Sequence, residues 1–202
     1  MKEIINKLLK VENGFKLIKQ EAINLFNSKT ISELMNLIPS LLSNSHYQIR
    51  SLGVFLLGFI ASTKVEALKI LRTEVSYDES WQVQEILAKS FDRDFKDIGY
   101  ENALPTITDL LNDKNPKVFG AVTEGLRIWT SRGFFKTHPQ KAIELISQHK
   151  NSDSKYLRKS VGNSLRDISK KHEGLVEKEI SLWDIQDRKI LYTYKFVTKN
   201  KK

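Results

Sequence analysis

The stretch Val83-Gln-Glu-Ile-Leu-Ala-Lys-Ser-Phe91, VQEILAKSF, decides how this chain folds. Val83, Leu87 and Phe91 stand at i, i+4 and i+8, the spacing that lines one face of an α-helix. Working outward, the same pattern returns as Ile49, Gly53 and Leu57, as Val118, Val122 and Leu126, and as Leu157, Val161 and Leu165. The four origins are separated by 34, 35 and 39 residues. That period fits one helix pair per repeat, each pair burying a side against its neighbours. The chain therefore reads as all-α, an α-solenoid (α–α superhelix) of roughly five or six degenerate HEAT-like pairs. A single repeat domain is expected over residues 1–198, with a basic tail at 199–202.

Helical punctuation agrees with this reading. Thr30-Ile-Ser-Glu33 is a capping box, Asn115 precedes Pro116 at a first helical position, and His138-Pro139 opens another helix. Helices are expected near 2–10, 12–27, 31–43, 46–62, 64–74, 79–92, 100–112, 116–130, 139–149, 154–171, 173–183 and 187–199. In the last, Ile190, Tyr194 and Val197 fit a helical stripe, although ILYTYKFV also suits a strand. The longest apolar run, Val54 to Ala61, is too short to span a membrane and is interrupted by Gly58. The N-terminal stretch lacks the order of a signal peptide, so neither export nor a membrane is expected and the chain is placed in the cytoplasm.

The 202 residues contain no cysteine, which excludes disulfides, thiolate metal sites and Cys nucleophiles. His46, His138, His149 and His172 stand far apart without ligand spacing, so neither metal nor cofactor is expected. The net charge is +9, and from Lys150 onward 14 Lys or Arg face 7 Asp or Glu, so the last quarter carries +7 of it. Such a balance favours a polyanionic partner, nucleic acid first.

Off the apolar stripe, the third repeat presents Trp81, Glu85 and Asp92, the fourth Gly120, Glu124 and Arg127, and the fifth Lys159, Asn163 and Arg166 with Asp167 adjacent and Lys170 and Lys171 one turn on. A row of Arg and Lys around an aromatic and a carboxylate suits a phosphate backbone passing a reaction centre. Plainer readings coexist with this one. Trp81 could pack, Glu85 could be solvated or ion-paired, Glu124 could pair with Arg127, and Arg166 with Asp167 could belong to an inter-repeat ladder. Trp129 and Trp183 read as core, and Phe134-Phe135 after Gly133 either plug the solenoid under Arg132 or touch DNA.

Three segments carry a family resemblance: SWQVQEILAKSFD with Trp81 and Glu85, NPKVFGAVTEGLRIW with Glu124, Gly125, Arg127 and Trp129, and SKYLRKSVGNSLRDISKKH with Arg158, Lys159, Asn163 and Asp167. In their order and spacing the chain resembles the AlkC/AlkD superfamily of HEAT-like alkylpurine DNA glycosylases, from about residue 30 to 198. The resemblance implies a monomeric, monofunctional glycosylase that releases cationic N3- or N7-alkylated purines from duplex DNA without a deep base-flipping pocket. It assigns Glu85, Trp81 and Asp167 to catalysis, with Glu85 as the carboxylate and Trp81 against the deoxyribose. Arg127, Lys159, Asn163, Arg166, Lys170 and Glu124 are assigned to DNA binding. The AlkD branch has an aspartate at the place of Glu85 and a second tryptophan at that of Asn163, so these residues and the TEGLR segment look more like AlkC. Two other readings stay open: a DNA-structure-binding HEAT protein without chemistry, and a protein-binding HEAT scaffold.

Overall fold

The computed structural model describes residues 1–131 and 133–199, with Ile128 and Trp129 described by their backbone alone. Among the described residues it contains helices and no strand. The helices are α1 (Lys2–Leu8), α2 (Lys16–Ser28), α3 (Ile31–Leu42), α4 (Tyr47–Ile60), α5 (Val65–Thr73), α6 (Trp81–Ile98), α7 (Leu104–Leu111), α8 (Pro116–Trp129), α9 (Phe134–Thr137), α10 (Pro139–Ser147), α11 (Lys155–Ser181) and α12 (Arg188–Val197). The chain forms two compact units, Met1–Ile98 and Gly99–Lys202.

In the first unit α4 is the central rod, packed by α2, α3, α5 and α6. Every residue from 51 to 58 is buried, so the apolar run beginning at Val54 is a core helix surrounded by others. Gly58 is required where α6 crosses. A Cβ there would lie 2.6 Å from Ser90 Oγ and 2.9 Å from the Ser90 backbone. The closeness also lets the buried Ser90 hydroxyl donate to the Val54 carbonyl at 3.1 Å, a satisfied polar contact inside the interface.

In the second unit α8 and α11 pack together, α10 packs on α11, and α12 closes the unit against α11. Gly162 permits the last contact, since a Cβ there would fall 2.8 Å from the Thr193 carbonyl oxygen. ILYTYKFV is helical, as α12, with Ile190, Thr193 and Val197 on its buried face and Asp187 capping it by accepting from Lys189 and Ile190 N–H.

The repeating apolar stripe is buried in all four helices that carry it. Ile49, Leu57, Val83, Leu87, Phe91, Val118, Val122, Leu126, Val161 and Leu165 are all buried, together with Gly53; Leu157, near the start of α11, is only half-buried. A further repeat feature lies one residue past the origins. Arg50 donates to the carbonyls of Asn44 and Ser45 at 3.0 and 2.9 Å, and Arg158 donates to those of Ser152 and Asp153 at 2.5 and 3.0 Å. Gln84 occupies the same place in α6 and donates to Val75, Ser76 and Asp78 carbonyls. Each side chain ties its helix to the loop before it, satisfying carbonyls that a helix-to-helix turn leaves unpaired.

Most expected helices are present, and the differences have local causes. The capping box is formed, Glu33 accepting from the Thr30 backbone N–H at 2.8 Å. The α6 helix runs on to Ile98 because Asp94 and Phe95 extend its buried face beyond residue 92. The two helices expected at 154–171 and 173–183 are both present and meet within α11 at a kink, where His172 between them leaves helical backbone geometry (φ −134°, ψ 47°). Two short pieces have no apolar period to announce them: α9 and a 3-10 turn at Val75–Tyr77. Of the aromatic pair after Gly133, Phe135 is buried edge-on to Tyr100 and Phe134 stacks on His138. Trp183 is buried, its indole N–H donating to Glu179 at 3.2 Å. The side chain of Trp129, Arg132 and the tail residues 200–202 lie outside the described residues.

Candidate nucleic-acid interface

Trp81 is the first residue of α6, the same helix place that Tyr47, Pro116 and Lys155 hold in α4, α8 and α11. The turn before it is firmly held. Arg50 reaches both carboxylate oxygens of Asp78, at 2.6 and 3.1 Å, Asp78 accepts from the Ser80 N–H at 2.8 Å, and Gln84 reaches the Asp78 carbonyl. From this fixed turn the tryptophan projects into solvent and is 68% exposed, so it is not a core residue. An exposed indole on a rigid turn loses little conformational freedom when something stacks on it.

Glu85 follows one turn later on the same helix edge and is also exposed, with its Oε1 2.6 Å from Lys89 Nζ. The edge continues at the same spacing through Arg93 to Asp97, which pair at 2.5 Å. Both cations rest on rings of the same unit: Lys89 lies 4.7 Å from the centroid of Phe15, and Arg93 lies 5.6 Å from that of Phe59. Sequence reasoning named Trp81 and Glu85 but missed Lys89 and Phe15. The i,i+4 spacing of Glu85 and Lys89 was a signal for the first; nothing in the sequence pointed to the ring beneath it. On the opposite, buried side of α6, burial, aided by the nearby Asp97 charge, pushes the Asp94 carboxyl up to about 6.

In the Gly99–Lys202 unit four of the remaining site candidates converge. Arg127 of α8 pairs with Glu124 one turn back and, through Nε, with Asp167 of α11 at 3.3 Å. Asp167 also accepts from Lys170 at 2.7 Å. Of the inter-repeat ladder expected to include Arg166 and Asp167, Asp167 takes part, in an Arg127–Asp167–Lys170 chain, while Arg166 turns toward the Phe196 carbonyl at 3.5 Å. Lys159 is exposed and Asn163 half-buried on α11. Lys171 donates to Ser131 at 2.8 Å. Near the start of α11, Lys155 and Arg158 lie over the Tyr192 ring at 5.7 and 5.2 Å. Among the described residues no group of three His, Asp or Glu side chains is placed to hold a metal ion, and no helix is long and apolar enough to cross a membrane.

Helix pairs with a repeating buried stripe and loop-tying side chains define an α-solenoid of the HEAT-like class. Residues 9–188 match the family described as DNA alkylation repair enzyme, and the chain belongs to that family. It is similar to the crystal structure of AlkD2 from Streptococcus mutans, with 41% identity, a TM-score of 0.91, and coverage of 98% of this chain and 96% of that one. A second structure, smu.31 from Streptococcus mutans UA159, matches with 39% identity, a TM-score of 0.88 and 98% coverage of both chains. The Pseudomonas fluorescens alkylpurine DNA glycosylase AlkC, bound to DNA containing an abasic site analog, matches at 17% identity and a TM-score of 0.62 over 85% of this chain and 47% of that one, a likeness of fold. The identity with AlkD2 is more than twice that with AlkC. No curated protein sequence matches the chain.

Proposed function

We propose that this protein binds duplex DNA and excises cationic N3- or N7-alkylated purines by hydrolysing the N-glycosidic bond. The observation that carries the proposal is the exposed Trp81 on its fixed turn with the Glu85 carboxylate one helical turn away, in a chain of the DNA alkylation repair family. Breaking the bond from C1′ to an alkylated, cationic purine sends the bonding pair to the base, which leaves neutral. The sugar acquires oxocarbenium character, and water completes the substitution at C1′. Glu85 stabilises the developing positive charge and orients that water, while the Trp81 ring lies against the sugar. No proton donor is needed for a leaving group that already carries positive charge. Arg127, Lys159, Arg166 and Lys170 would meet backbone phosphates, with Asp167 holding Arg127 and Lys170 in place.

A second reading, DNA-structure binding without excision, is favoured by the Glu85–Lys89 pair, which neutralises the carboxylate in the free protein. An exposed i,i+4 pair contributes only about 0.3 to 0.5 kcal/mol, so a bound phosphate can displace it, and excision remains the leading reading. Release of 3-methyladenine or 7-methylguanine from methylated duplex separates the two. Glu85→Gln is expected to slow release by about 10²-fold or more, the scale of losing one electrostatic stabiliser. Duplex binding without release by the wild-type chain establishes the second reading, and no duplex binding at low salt rejects both in favour of a protein-binding scaffold.

A further inference from the structure

The ammonium of Lys89 is held from two sides inside the Met1–Ile98 unit, by Glu85 Oε1 at 2.6 Å and by the face of Phe15 at 4.7 Å. Phe15 immediately precedes α2 and follows Gly14, whose φ of +81° is a left-handed conformation suited to glycine. The segment leading to it is tied to α4: the Tyr47 hydroxyl donates to the Glu12 carbonyl at 3.3 Å, and Gln48 donates to that of Val11 at 3.0 Å. An ordinary exposed lysine must be ordered when it meets an anion; Lys89 is already ordered by a ring that is itself fixed.

We propose that Lys89 is a phosphate-binding residue that exchanges partners. In the free protein its ammonium neutralises Glu85. On duplex binding the ammonium passes to a backbone phosphate while Phe15 keeps it in reach, and Glu85 is left uncompensated. The proposal rests on the duplex-DNA reading above and adds a regulation to the same helix edge. A carboxylate already paired with an ammonium is a poor stabiliser of a second cation, so the exchange makes full electrostatic strength of Glu85 conditional on an engaged backbone. The pair is suited to exchange because it is half-exposed on both sides and of local i,i+4 type, the class of ion pair that solvent and salt weaken most.

The test is duplex affinity across a salt series for the wild-type chain, Glu85→Gln, Lys89→Met and the double variant, with far-ultraviolet circular dichroism confirming that each is folded. Glu85→Gln is expected to bind about two- to threefold tighter, because Lys89 is released from its internal partner. Lys89→Met is expected to bind about threefold or more weakly at low salt, with the logarithmic salt slope shallower by about 0.9, one phosphate contact. The double variant should match Lys89→Met, since the gain from Glu85→Gln acts through the ammonium. Phe15→Leu should keep the slope and bind about twofold more weakly, as loss of a preordering ring requires. An unchanged slope in Lys89→Met overturns the exchange, as does equal tightening by Glu85→Gln with and without Lys89, which would mean general removal of negative charge. Failure of the wild-type chain to bind duplex at low salt overturns the DNA reading itself, a result separable from a bound duplex that ignores Lys89.

Discussion

In register along their helices, α6 presents Trp81, Glu85 and Lys89 where α11 presents Lys155, Lys159 and Asn163. The scaffold place is the same and the chemistry is opposite. On α6 an aromatic ring stands bare beside a carboxylate, and each cation of that edge is matched to an acid four residues away. On α11 the first two corresponding places are basic and the third is the neutral Asn163, and the acid sits at Asp167, where it holds Arg127 of α8 and Lys170. A repeat fold fixes where a side chain emerges and leaves its charge to the sequence. One helix can thus be suited to a developing sugar cation and another to phosphates.

The largest expected effect tests the division of labour directly. Trp81→Ala removes an exposed ring, so excision should fall by about 10- to 100-fold, in line with about 1 to 3 kcal/mol for stacking, while denaturant stability changes by less than about 0.5 kcal/mol. Lys159→Ala should lower duplex affinity only about two- to fivefold and flatten the salt slope, leaving the single-turnover excision rate nearly intact. If Trp81→Ala instead unfolds the chain at lower denaturant, the ring is structural and the contrast collapses.

The buried faces of the same two helices differ as well. Asp94 lies in α6 at the register place that Ile168 fills in α11, and both are buried. Among the described residues Asp94 has no ion-pair partner, and its carboxyl is pushed up to about 6 by burial first and Asp97 second. The folded chain therefore holds a proton there that the unfolded chain has already lost above pH 4, so stability falls as pH rises from about 4 to about 6 and is level above that. Asp94→Asn should match wild-type stability near pH 4 and exceed it by about 2 to 3 kcal/mol above pH 6.5, measured by urea unfolding. A constant difference across that range would remove Asp94 as the titrating group.

Between α8 and α11 the Arg127–Asp167 pair joins residues 40 positions apart and is partly shielded, Asp167 keeping 24% of its side chain exposed. A double-mutant cycle with Arg127→Ala and Asp167→Asn should give a coupling of about 0.5 to 1 kcal/mol in stability. Asp167→Asn alone frees Lys170 and leaves Arg127 with Glu124 as its partner, and should tighten duplex binding slightly while leaving excision within about threefold of wild type. A loss as deep as that expected for Glu85→Gln would move Asp167 into direct catalysis.

The same contrast explains what was legible in the sequence. Helices, caps and the buried stripe follow from local periodicity, and Thr30, Asn115 and the series from Ile49 to Leu165 stand where that periodicity puts them. Trp81 and Glu85 stand out in the sequence because they break a local pattern. The long-range partners had no such signal: Arg127 with Asp167, Lys89 with Phe15, and Arg50 with Asp78 meet only after loops close, and periodicity carries no record of which loops meet. Arg158 was read as part of a family motif, yet its guanidinium ties down the loop before α11, a role that only the carbonyl positions reveal. The α9 turn was equally silent, being set by packing of Phe135, whereas the break at His172 falls between the two helices expected there.

The smallest effect is the most discriminating for α6. Glu85 and Lys89 are 44% and 49% exposed, so their attraction in the free protein is screened by water and salt. A double-mutant cycle with Glu85→Gln and Lys89→Met should yield about 0.3 to 0.5 kcal/mol at low ionic strength and vanish by about 1 M salt, against the larger coupling that the Arg127–Asp167 pair retains through partial shielding. A Glu85–Lys89 coupling above about 1 kcal/mol that survives salt would mean that the carboxylate is locked to its lysine. A locked pair would withhold Glu85 from a sugar cation even on DNA, and the binding-only reading would then displace excision as the better account of this edge of α6.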